Sequence, residues 1–111
     1  MSTQAPDAVA VVEMCGALAD ESRWQILQLV GEQSLSASEL AQRLPISRQA
    51  IARHLGVLAD AGLVVPEHAG RQLRYRALGG RLSELARHLE TIGRGWERRL
   101  DAIKTIAETA R

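Results

Sequence analysis

The residues best equipped for chemistry lie between Ser47 and Arg76. Ser47, Arg48, Gln49, Ala52 and Arg53 are interleaved with Ile51, Leu55 and Leu58, which recur at i, i+4 and i+7. On a helix that spacing gathers the three aliphatic side chains into one buried stripe and turns the polar set outward. Outward-facing Arg and Gln pair bidentately with guanine O6/N7 and adenine N6/N7 in a major groove, which is wide enough to admit one helix. The Ser47 hydroxyl and the free N–H groups of a helix start can hold a phosphate. His54 lies at the margin of this set, and Arg71 and Arg74 follow in a basic hairpin. The bland alternative is that Arg48, Gln49 and Arg53 form the solvated side of an ordinary helix. The elements around them weigh against it.

Other chemistries find less support. Ser, His and carboxylate residues show no converging arrangement, and no glycine-rich cofactor loop is present, so neither an enzyme nor a cofactor is expected. A structural tetrahedral metal site needs four ligands, usually Cys or His. The three histidines, His54, His68 and His88, belong to three different elements, so no metal is expected. His88 and Glu90 could meet their symmetry mates between subunits, but His88 reads first as a partly exposed helix residue. Cys15 is the only cysteine, which rules out an internal disulfide and suits a reducing cytoplasm. It reads first as a small buried apolar residue, with pairing to its mate across a dimer as the second reading.

The 111 residues fit one domain, residues 1–111, whose core is thin at about two-thirds of the unfolded surface buried. Aromatics are limited to Trp24, Tyr75 and Trp96, so aliphatic residues must fill that core. No apolar run approaches the roughly 20 residues of a membrane span, and no secretory signal opens the chain. The net charge of +1 hides a segregation. Residues 1–40 carry six acids against Arg23, whereas residues 47–76 carry five arginines against Asp60 and Glu67. Such a division can create an anion-binding face on a nearly neutral protein.

The elements follow from periodicity and caps. Residues 1–5 read as frayed. A first helix over 6–19 places Pro6 in its first turn and carries Val9, Val12 and Leu18, with Val11 and Cys15 beside them. Asp20 caps a second helix that buries Trp24 and Leu27, with Ile26 and Val30, and stops near Gly31. Ser36 and Glu39 have capping-box spacing, which predicts a short third helix to about Leu44. Pro45-Ile46 breaks the chain and Ser47 caps the fourth helix, which ends at Ala61-Gly62. Residues 36–61 thus form a helix-turn-helix. Strand-like runs at Leu63–Val65 and Leu73–Arg76 make a hairpin over 63–78 with its tip at Gly70-Arg71. A last helix over 81–108 follows, with Gly93 and Gly95 as sites for a kink. The fold class is mainly α with a small β-hairpin, α+β, a winged helix-turn-helix.

The run from Ile46 to Val64, ISRQAIARHLGVLADAGLV, resembles the recognition helix and strand entry of the ArsR/SmtB repressors. The likeness extends to LADESRWQIL over 18–27 and to the hairpin tip GRQLRY over 70–75. It implies a cytoplasmic prokaryotic dimer that binds an imperfect inverted repeat of double-stranded DNA and blocks transcription. Ser47, Gln49 and Arg53 would then contact bases or phosphates, and Arg71 and Arg74 the backbone or minor groove. Many such repressors sense metal through a Cys-x-Cys pair at the third helix, but here Ser36-Ala37-Ser38 stands there, and serine is a poor ligand for soft metals. A second metal site of that family, Asp-x-His with a later His on the last helix, is met here by His88 alone. The resemblance is therefore closest to the metal-independent branch, which WERRL over 96–100 also resembles, and no effector can be named.

The terminal helices carry more apolar surface than one small domain covers. Val9, Val12, Leu89, Ile92, Trp96, Leu100 and Ile103 are the expected two-fold interface, with packing of the last helix on the first as the alternative. Competing readings are a metal-responsive repressor with an atypical site, a winged-helix protein-interaction adapter, and a dimerisation domain of an enzyme.

Overall fold

The computed structural model describes residues 8–109. The expectations for residues 1–5 and Pro6 lie outside the described residues. Five helices and three strands follow in the order α1 (Ala8–Leu18), α2 (Glu21–Glu32), β1 (Leu35–Ser36), α3 (Ala37–Arg43), α4 (Arg48–Asp60), β2 (Val64–Ala69), β3 (Gln72–Ala77) and α5 (Gly79–Thr109). This is a winged helix-turn-helix, with a sheet in the order β1-β3-β2, antiparallel throughout.

Caps set the helix starts. Asp20 accepts a hydrogen bond from the Arg23 N–H at 3.0 Å, which opens α2. Ser36 and Glu39 close a reciprocal capping box, with Ser36 N–H donating to Glu39 Oε1 at 2.9 Å and Glu39 N–H donating to Ser36 Oγ at 3.1 Å. Ser47 Oγ accepts from the Ala50 N–H at 3.1 Å and starts α4. Gly62 ends that unit with φ +78, a left-handed conformation that few side chains tolerate.

One core joins every helix to the sheet. Met14 and Ala17 enter it from α1, Ile26, Leu27 and Val30 from α2, and Leu40 from α3. Ile51, Leu55 and Leu58 are fully buried from α4, and Leu85 closes the core from α5. Two expectations are corrected here. Cys15 is exposed, because Met14 and Ala17 turn the other side of α1 inward. Trp24 is 47% exposed, because the α2 stripe runs through Ile26, Leu27 and Val30.

The hairpin turns tightly at Gly70-Arg71, where Gly70 has φ +64. Glycine at the first central position is what a two-residue type II′ turn requires. Pro66 lies in β2, an edge strand of the sheet, where a missing N–H is tolerated. Strand β1 was not expected from the sequence. Its two residues pair with Tyr75 and Arg74 of the wing. The last helix runs unbroken from Gly79 to Thr109, so Gly93 and Gly95 mark no break.

Candidate nucleic-acid interface

Three buried aliphatics anchor α4 and leave its opposite side to solvent. Ser47, Arg48, Gln49, Ala52 and Arg53 are all exposed. Ser47 Oγ accepts the cap bond and keeps its own O–H to donate. The side chains of Arg48, Gln49 and Arg53 make no hydrogen bond or ion pair to other described residues. Guanidinium groups left without internal partners bind an outside anion at no cost in broken contacts. Arg71 stands exposed at the wing tip and has no partner among the described residues.

Two of the expected contact residues have partners within the chain. His54 is half-buried, with Nδ1 3.4 Å from Arg23 Nη1. Arg23 also donates from Nε to Ala17 O at 2.6 Å and from Nη2 to Gly16 O at 3.4 Å, so it caps the carbonyl end of α1. His54 therefore joins α4 to α2 and α1. Nothing in the sequence linked Arg23 to that joint.

Arg74 is the second. Its guanidinium donates from Nε to Ser34 Oγ at 3.2 Å, from Nη2 to Ser34 O at 2.8 Å and from Nη1 to Gln72 Oε1 at 2.7 Å. It also forms an ion pair with Glu39 Oε1 at 3.0 Å. Those bonds brace the wing against the start of α3, so Arg74 does not extend a free cation toward solvent. The Ser36 backbone N–H holds the Glu39 carboxyl below its ordinary range, and Arg74 adds to this while desolvation opposes it. The Asp20 carboxyl is lowered in the same way, mainly by the Arg23 backbone N–H.

The resulting surface is a helix carrying free Arg and Gln beside a basic hairpin. Residues 18–67 match the helix-turn-helix domain family. The chain is 38% identical over 93 residues to the HTH-type transcriptional regulator Rv2034 of Mycobacterium tuberculosis, covering 84% of each. It is 54% identical to an ArsR-like transcriptional regulator from Rhodococcus sp. RHA1, with a TM-score of 0.80 over 89% of this chain and 93% of that one. The chain belongs to the ArsR-like helix-turn-helix transcriptional regulators. It is a DNA-binding regulator of transcription. The homodimeric winged helix-turn-helix domain of Mb0332 from Mycobacterium bovis shares the fold, at 22% identity and a TM-score of 0.62 over 90% of this chain and 94% of that one.

In this regulator the seven expected interface residues sit on two apolar faces. Val9 and Val12 point away from the core on α1, at 67% and 69% exposed. Leu89, Ile92, Trp96, Leu100 and Ile103 extend the Leu85 stripe along α5 and are all exposed, and Ile106 continues it. Packing of α5 on α1 within one chain does not cover them. Arg99 lies over the Trp96 ring at 5.3 Å from its centroid.

The histidines lie on α4, β2 and α5, and no group of three or more His, Cys, Asp or Glu residues comes together among the described residues. At the third helix, Ser36 Oγ is committed to its capping box. No helix among the described residues is long and apolar enough to cross a membrane.

Proposed function

We propose that this regulator is a cytoplasmic, non-enzymatic repressor that occludes promoters as a homodimer on an inverted repeat and responds to no metal. The observation that carries the reading is the division of α4 into a fully buried stripe and an opposite face whose Arg and Gln side chains have no partner among the described residues. Ser47, Arg48, Gln49, Ala52 and Arg53 contact the major groove and its phosphates, and Arg71 contacts the backbone beside it. Arg74 acts indirectly by holding the wing. His54, tied to Arg23, orients α4 and reads no base. The exposed faces of α1 and α5 supply the self-complementary surface that a two-fold dimer needs. Metal independence is supported by hydroxyls, in place of thiols, at Ser36 and Ser38 and by the separation of the three histidines.

Affinity on this reading comes largely from phosphate neutralisation and falls steeply with salt. Sequence preference comes from Gln49 and the α4 arginines. The test is selection of bound duplexes from a random pool by the full chain, run in parallel with zinc and with a chelator. The expected product is one inverted repeat, its half-sites about one DNA turn or a multiple apart, recovered in both arms. An unenriched pool would remove specific DNA recognition, and a repeat recovered in only one arm would remove metal independence.

A further inference from the structure

The reading face also contains a cleft whose lining exceeds what a DNA phosphate needs. It measures about 440 Å³ and lies between the starts of α3 and α4 and the wing. Arg48 and Arg71 supply its charge, Ser38 adds a hydroxyl, and Ala52, Leu73 and Tyr75 supply apolar surface.

The charge is uncompensated. Glu39 is held by Arg74 at 3.0 Å, and Glu67 by Arg76 at 2.8 Å. Arg48 and Arg71 have no such partner among the described residues. An anion entering the cleft therefore meets two guanidinium forks without displacing a carboxylate.

The apolar surface narrows the class further. A phosphodiester gains little from Leu73, which is 39% exposed on the wing, or from the half-buried Tyr75 ring. An aromatic or branched body does gain from them. The volume lies within the range of small-molecule sites.

We infer that this cleft binds a small organic anion, a carboxylate or phosphate monoester on an apolar body, which competes with DNA backbone phosphate for Arg48 and Arg71. The competition rests on the DNA-reading face proposed above. Binding of the small anion does not.

Two measurements on the full chain separate these parts. In the first, benzoate and phenyl phosphate are titrated into isotopically labelled protein without DNA, with acetate and inorganic phosphate as controls. Saturable shifts are expected at Ser38, Ala52, Leu73 and Tyr75, with the aromatic anions favoured over their controls by roughly tenfold, the effect of burying one ring. Leu73→Ser is expected to erase that preference, and Arg71→Gln to weaken all four anions. Both positions are exposed, and unchanged melting curves would show that the variants fold.

In the second measurement, the same anions compete against a duplex recovered by selection, with chloride added to equal ionic strength. Benzoate and phenyl phosphate are expected to displace DNA beyond the chloride control, and Leu73→Ser to lose that excess. The absence of saturable shifts at these residues, or equal binding of phenyl phosphate and inorganic phosphate, would overturn the site. Shifts at the cleft with no displacement beyond chloride would overturn the competition. A chain that binds benzoate there but enriches no duplex would sink the DNA-reading assignment and leave the anion site standing.

Discussion

Replacing Arg53 with alanine separates the two faces of α4. The side chain is exposed and has no partner among the described residues, so its removal breaks no internal bond. Both Arg and Ala favour helix, and stability should stay within about 0.5 kcal/mol of the parent. DNA affinity should change far more. A bidentate base contact contributes about 1–3 kcal/mol at each half-site, or about 5- to 150-fold. A symmetric dimer loses that contact twice, and because the half-sites are well separated the two losses add on a full repeat. The assay is fluorescence anisotropy with a selected duplex and a single half-site, each at several salt concentrations. A base reader loses affinity and specificity while keeping the salt slope, whereas each lost phosphate contact lowers the slope by about 0.9. Parent affinity on both duplexes at every salt concentration would refute the placement of Arg53 against DNA.

Further tests address the packing, the dimer and the caps. Leu55→Ala empties a fully buried site and should cost about 2–5 kcal/mol in urea unfolding, a large share of a typical 5–15 kcal/mol. A loss well under 1 kcal/mol would contradict the tight α4 stripe. Trp96→Ala should weaken self-association by about 30-fold or more if the ring is an interface anchor. Unchanged sedimentation equilibrium would exclude it. Asp20 and Glu39 have lowered pKa values in the folded chain, so their caps stabilise fully above their ordinary values near pH 4 and fade as pH falls through the lower folded values. The Asp20→Asn/Glu39→Gln variant should therefore show a shallower acid limb in thermal melts, and parallel limbs would count against the two caps.

The parts of the fold legible in the sequence are those governed by nearby residues. The α4 stripe, the Ser47 cap, the Ser36–Glu39 box and the Gly62 stop each depend on neighbours within one or two turns. Orientation was legible only where a helix has polar residues to contrast with apolar ones. In α1 almost every side chain is apolar, so periodicity did not reveal that Met14 and Ala17 face inward while Cys15 does not. Trp24 reads as part of the buried set with Leu27, but the stripe of Ile26, Leu27 and Val30 lies on another side of α2 and leaves it 47% exposed. Long-range ties were illegible. Arg74 reaches Ser34 across 40 positions, and β1 is two residues whose strand character exists only through the wing. The carboxylate partner of Arg74 lies on another element and leaves no mark on the hairpin's own sequence.

Ser36 belongs to two elements at once. It is the last residue of β1, paired with Arg74, and the cap of α3. No linker separates sheet from helix there, and the Arg74–Glu39 pair locks the same junction from the side-chain direction. Wing and α3 are therefore joined at this point without an intervening segment. A change at Ser36 would therefore be felt by the sheet and by α3 together.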